Sequence, residues 1–106
     1  MREFKFGDIV QHFKRETIEG DKGSKYLYMI IGISKHTETG ELMMNYKPLY
    51  EDSYFDGINF ISRPLNMFMS EVNHEQYPNI KQQYRFEKVK STTHEAKASE
   101  LVTSSN

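Results

Sequence analysis

Residues 25–50, KYLYMIIGISKHTETGELMMNYKPLY, decide the fold. They read as a strand, a tight turn and a second strand: KYLYMIIGISKH, TETGE and LMMNYKPLY. In the first strand Leu27, Met29, Ile31 and Ile33 share one face at period two. Tyr26, Tyr28, Ile30, Gly32, Ser34 and His36 share the other. Alternation with this Tyr and Ile content predicts a half-buried strand. A one-residue slip exchanges a strand's faces, so the buried pattern selects the pairing. Setting Thr37 against Leu42 brings Lys35 to Met44, Ile33 to Tyr46 and Ile31 to Pro48, and the apolar faces coincide. A three-residue loop would set Ile33 against Asn45 and Ile31 against Lys47, a poorer match. Gly40 supplies the positive φ that such a turn needs. The odd-numbered face, with Ile33, is then buried. The other carries His36 beside Met43, Ser34 beside Asn45 and Gly32 beside Lys47, with Tyr28 at an aromatic end. It reads either as a solvated sheet surface or as a ligand surface.

The length of 106 residues suits one domain with a modest core. Fourteen basic and fifteen acidic residues leave a net charge of −1, which neither supports nor excludes a nucleic-acid partner, because a local basic patch can sit on a neutral protein. There is no cysteine, so disulfides, thiolate nucleophiles and zinc–cysteine sites are excluded. No stretch approaches the roughly 20 apolar residues of a membrane span, and MREFKFGD is no secretory signal. A soluble, cytoplasmic protein without a membrane partner is expected.

Outward from the hairpin, FKFGDIVQHFK (4–14) predicts a first strand, and RETIEGDKGS (15–24) a polar loop. Residues 51–59, EDSYFDGIN, form a second polar connection with Asp56-Gly57 as a turn signal. Phe60-Ile61-Ser62 reads as a short strand ending before Pro64, which suits the first turn of a helix. Leu65, Phe68 and Val72 share a helical face, so LNMFMSEV predicts one or two helical turns, with an alternating strand as the other reading. Residues 74–83 read as a polar linker, and YRFEKV (84–89) as the last strand. From Lys90 onward Ser, Thr, Lys and Glu dominate without aromatics, and such a segment cannot offset its ordering entropy. Residues 1–89 therefore make a single β-rich domain and 90–106 a polar, disordered tail.

His12, His36, His74 and His94 form no H-x-H, H-x-x-x-H or H-E-x-x-H pattern, and no metal or cofactor is expected. There is no G-x-S-x-G elbow, and Gly20-Asp21-Lys22-Gly23-Ser24 lacks the spacing of a phosphate loop. His36 and Glu38 could present polar groups above the sheet; the plainer reading is a turn-stabilising histidine and an exposed glutamate. Arg63, beside the stiff Pro64, could grip a carboxylate or phosphate in bidentate fashion, or instead pair internally with Glu38, Glu41 or Glu71. Basic and aromatic residues interleave in HFKR, KYLY, YKPLY and YRFEK. That mixture suits base stacking with phosphate contacts, and β-barrels of any function show it too.

The elements GDIVQHFK, the 25–50 hairpin, FISRPLNMF and YRFEKV, in this order, resemble the small bacterial and phage proteins of domain-of-unknown-function family 1653. Members carry a similar H-x-K element, H-[ST]-E-T, a Y-x-x-L-Y strand and R-P-x-x-M-F. These correspond here to His12 with Lys14, residues 36–39, residues 46–50 and residues 63–68. The likeness covers roughly residues 7–89. The loops at 15–24 and 51–59 are longer than usual, and Phe60-Ile61-Ser62 stands where a tryptophan often precedes the arginine. The resemblance implies a compact domain and a shared polar set, not a reaction.

The expected fold is mainly β, about five strands in a small, strongly bent sheet or SH3-like barrel with one short helix. The leading functional expectation is a non-catalytic binder of a small anionic ligand, a nucleotide or nucleotide-derived signal that it sequesters or senses. Arg63, His36, Glu38, His12, Lys47, Tyr46 and Tyr28 form its site, which could be completed across a homo-oligomer contact. The alternatives are a nucleic-acid-binding SH3-like module on the same face and, third, a hydrolase-type enzyme with His36 or His12 as base and Arg63 as clamp.

Overall fold

Five short strands pair into one antiparallel sheet in the computed structural model, which describes residues 2–89. They are β1 (Ile9–His12), β2 (Leu27–Lys35), β3 (Leu42–Pro48), β4 (Ile61–Pro64) and β5 (Phe86–Lys88), in the spatial order β4-β3-β2-β1-β5. A single helical turn, α1 (Leu65–Phe68), follows β4 directly. The expectation of a mainly β fold with one short helix holds at this level; the tail at 90–106 lies outside the described residues.

The hairpin register differs from the expected one. Lys35 pairs with Leu42, Ser34 with Met43, Ile33 with Met44 and Gly32 with Asn45; beyond a bulge at Ile31, Ile30 pairs with Tyr46 and Tyr28 with Pro48. The extra residue switches the phase of β2, so even-numbered residues face the core before the bulge and odd-numbered ones after it. The core-facing pair is therefore Tyr28 and Ile30, at 5% and 0% exposure, while Ile33 lies past the edge of the core at 55%. The β3 face is the expected one, with Met44 and Tyr46 buried. Gly32 sits at φ 152°, where a side chain would be strained, and this permits the bulge. Loop 36–41 closes by Gly40 N–H donating to His36 O at 2.8 Å, with Gly40 at φ 76°.

The sheet curls strongly. Four strand spacings of about 4.8 Å would hold the two edge strands about 19 Å apart if it were flat. Instead the guanidinium of Arg63, from edge strand β4, lies 5.3 Å from the ring centroid of Phe86 in edge strand β5. Inside the curl, Phe86 stacks on Phe68 of α1 at 4.2 Å, and Val10, Tyr28, Ile30, Met44, Tyr46 and Leu65 complete the core. The helix expected over 65–72 is one turn only. The chain leaves it to pair with the approach to β5: Val72 N–H donates to Gln83 O and Arg85 N–H to Ser70 O, each at 2.8 Å.

Residues 74–83, which read as a polar linker, cover a second small core. Phe13, Val72 and Ile80 are buried there, with Tyr77 packed against them. The carboxylate of Glu16 accepts from Lys81 N–H at 2.8 Å and Gln82 N–H at 2.7 Å, which pins the segment to the 3₁₀ turn Phe13–Thr17. The side-chain amide of buried Gln82 donates to Gln11 O and Tyr84 O, tying the same segment to β1.

Candidate functional site

The curl and the chain reversal after α1 bring two arginines close enough for the charge of one to act on the other. Arg63 is carried by β4, where Pro64 (φ −50°) fixes the next residue. Its Nε donates to the Tyr46 hydroxyl at 3.0 Å. Arg85 precedes β5 and donates from Nε to Ser70 Oγ at 3.2 Å. Burial lowers the Arg85 pKa, and the charge of Arg63 lowers it further. Among the described residues the ion pairs are Lys25–Asp52 and Lys88–Asp8, so neither Arg63 nor Arg85 has a carboxylate partner. The internal pairing of Arg63 with Glu38, Glu41 or Glu71 does not form; Glu71 instead accepts from Gln83 Nε2 at 3.1 Å.

His12 ends β1 beneath these cations. Its ring stacks on Phe13 at 4.5 Å and meets the Phe86 ring edge-on at 5.0 Å. Nδ1 accepts from Lys14 N–H at 3.1 Å and so caps the 3₁₀ turn. Burial, then the charges of Arg63, Arg85 and Lys14, pull its pKa down to about 3. The imidazole is thus neutral at any physiological pH.

Tyrosines cluster beside these groups. Burial raises the Tyr46 pKa, against the opposing pull of Arg63. The Tyr28 hydroxyl shares a 2.7 Å hydrogen bond with that of Tyr50, and burial, followed by this bond, raises its pKa well above the ordinary tyrosine range. Tyr26 leans on both His12 and Tyr50, with ring centroids 5.8 Å away in each case. Among the described residues it alone, glycines aside, has a positive φ, 64°. For a bulky side chain that conformation costs roughly 1–2 kcal/mol, so the contacts around its ring must hold it there.

Of the residues singled out in the sequence, the structure gathers Arg63, His12, Tyr46 and Tyr28. It does not bring His36, Glu38 or Lys47 to them. His36 lies in the exposed hairpin loop, where Nδ1 accepts from Glu38 N–H at 3.2 Å and Thr39 N–H at 3.3 Å. That is the turn-stabilising role, and Glu38 is exposed beside it. Lys47 is pleated away from Tyr46 and lines a separate, open cleft of about 590 Å³ with Glu51, Asp52 and Asp56. Three of those four side chains are acidic, so this cleft suits an anion poorly. The sequence reading missed Arg85, Tyr50 and Tyr26. The interleaved YRFEK and YKPLY segments were the available signal for the first two. Nothing in the sequence marks Tyr26 as left-handed.

Among the described residues no three or more His, Asp or Glu side chains are grouped to hold a metal, and no helix is long and apolar enough to cross a membrane. The fold and site define a small, curled antiparallel-sheet protein in which two arginines, with no carboxylate partner among the described residues, stand beside clustered tyrosines. Residues 8–88 match the family described as protein of unknown function (DUF1653), and the chain belongs to that family. The matched span contains all five strands together with His12, Arg63 and Arg85. No curated protein and no solved structure matches.

Proposed function

We propose that the chain is a non-catalytic binding protein for a small anionic ligand, a nucleotide or nucleotide-derived signal, held between Arg63 and Arg85. One observation carries this reading: the charge of Arg63 acts on the partly buried Arg85, and neither guanidinium has a carboxylate partner among the described residues. Such like charges repel in the unliganded protein, and an anion between them relieves the cost. A charge-assisted hydrogen bond contributes about 1.5–3 kcal/mol, so either arginine alone is worth more than tenfold in affinity. Tyr26 and Tyr50 supply aromatic surface for a base or other flat group. The neutral, hydrogen-bonded His12 argues against a general base, since its Nδ1 is occupied and its basicity is low. The same reading takes the curled sheet as an SH3-like barrel; the contact between edge strands β4 and β5 supports it.

Titrating nucleotides and short oligonucleotides into wild type and Arg63→Gln at two salt concentrations tests the proposal. A small-ligand binder saturates with a mononucleotide, and the variant loses at least tenfold. A nucleic-acid module instead gains affinity with oligonucleotide length and loses it steeply with salt. Chromatography of the ligand after overnight incubation reports turnover, which would favour an enzyme. Failure of both ligand classes to bind overturns the proposal.

A further inference from the structure

Resting on that anion-binding reading, we propose that the site takes a terminal phosphoryl group, a phosphate monoester dianion, in preference to a carboxylate or a bridging phosphodiester. The hydrogen-bond roles of its side chains carry the assignment. His12 Nδ1 accepts from Lys14 N–H, so the ring's proton resides on Nε2, which can only donate. Nε2 has no hydrogen-bond partner among the described residues and keeps its proton to give. The Tyr46 hydroxyl accepts from Arg63 Nε and keeps its own proton to give. Tyr28 and Tyr50 share one hydrogen bond, which leaves one of their two hydroxyl protons spare. Arg63 and Arg85 each commit Nε to the protein, to Tyr46 and Ser70, and keep their terminal nitrogens.

His12, Tyr46, the Tyr28–Tyr50 pair and both arginines thus each keep a donor for a ligand, and the arginines supply two positive charges. The donors come from β1, β2, β3, β4 and the approach to β5, so they do not lie in one plane. A planar carboxylate offers two oxygens and one negative charge. A phosphodiester also offers two non-bridging oxygens and one charge, which leaves a guanidinium uncompensated. A phosphate monoester offers three terminal oxygens in a tetrahedral array and a charge of about −1.5 to −2 at neutral pH, which matches both arginines. The titratable groups around the two arginines are His12, Lys14, Tyr26, Tyr28, Tyr46, Tyr50 and Tyr77. Of these His12 stays neutral from pH 5.5 to 7.5, so it adds no change of charge on which a pH effect could be blamed.

Calorimetric titration of the full chain with three probes tests this: a nucleoside 5′-monophosphate, its phosphate methyl ester and the corresponding nucleoside 5′-carboxylate, at pH 7.5 and 5.5. At pH 7.5 the monophosphate should bind at least tenfold more tightly than either other probe. At pH 5.5, below its second ionisation near pH 6, its affinity should fall several-fold while that of the methyl ester stays level. Arg85→Gln should bring monophosphate and methyl ester to similar affinities. If all three probes bind equally and all weaken in Arg63→Gln, the anion site stands and the phosphoryl assignment is overturned. Preference for the methyl ester or the carboxylate overturns it too. If none binds at millimolar concentration, both this assignment and the anion-binding reading fall.

Discussion

Replacing His12 by Asn should flatten the acid side of the stability curve. His12 is 7% exposed, and burial together with Arg63, Arg85 and Lys14 holds its pKa at about 3 against an ordinary 6.5. Between those two values the unfolded chain binds a proton that the folded chain refuses. Stability therefore rises with pH across this window, is fully present above pH 6.5, and is lost as the pH falls. The slope is about 1.4 kcal/mol per pH unit, so His12 alone removes about 2 kcal/mol between pH 7.5 and pH 5.0. For a domain of this size that loss lowers the thermal midpoint by about 8–16 °C. Asn can accept from Lys14 N–H as His12 does, but it does not titrate. Thermal unfolding by circular dichroism at pH 7.5, 6.5 and 5.0 checks this, because carboxylates common to both proteins cancel in the difference. The wild type should lose about 2 kcal/mol more than His12→Asn. Equal losses would refute a buried neutral imidazole beside the two arginines.

The bulge in β2 sets the outcome of two charge insertions. Ile30→Asp should unfold the domain, because it buries an unpaired carboxylate at a fully buried position, whereas Ile33→Asp at 55% exposure should remain folded. Circular dichroism of both decides, and the reverse order would restore the simple alternating register. Glu16→Ala should cost roughly 1–3 kcal/mol, because it leaves the amides of Lys81 and Gln82 without their carboxylate acceptor. Urea unfolding gives the magnitude, and faster hydrogen exchange at these two amides gives the cause; unchanged exchange would remove the contact from the account.

The strand order of the central hairpin was legible because a glycine-bearing turn sits between two alternating runs. The phase of β2 was not legible. Leu27, Met29, Ile31 and Ile33 on one side and Tyr28 and Ile30 on the other make both faces apolar, so periodicity could not choose between them. The single residue that decides, the bulged Ile31 beside Gly32, leaves no composition signal of its own. Arg63 was legible from its place before Pro64, and His12 and the two tyrosines from their interleaving with basic residues. Arg85 stood in the interleaved YRFEK segment but nothing set it apart from its neighbours there, and it becomes a site residue only because the sheet curls its two edges together. The segment 74–83 looked like a linker because its buried members, Ile80 and Gln82, are diluted by polar neighbours. Its anchor, Glu16, lies far away in sequence. His36 and Glu38 had the right chemistry in a conspicuous motif, yet the turn itself uses the histidine.

The central claim is that Arg63 and Arg85 are set against each other to hold an anion. The most direct measurement is the thermal midpoint of wild type and Arg85→Gln, each with and without a nucleoside 5′-monophosphate. Without ligand, the variant should melt at or slightly above the wild type, because removing one of two like charges offsets the lost bond to Ser70. With ligand at about a hundred times its dissociation constant, the wild type should gain about 2.7 kcal/mol, a rise of about 10 °C or more, and the variant far less. A variant that melts well below the wild type while its ligand shift is undiminished would make Arg85 a structural residue and contradict the site.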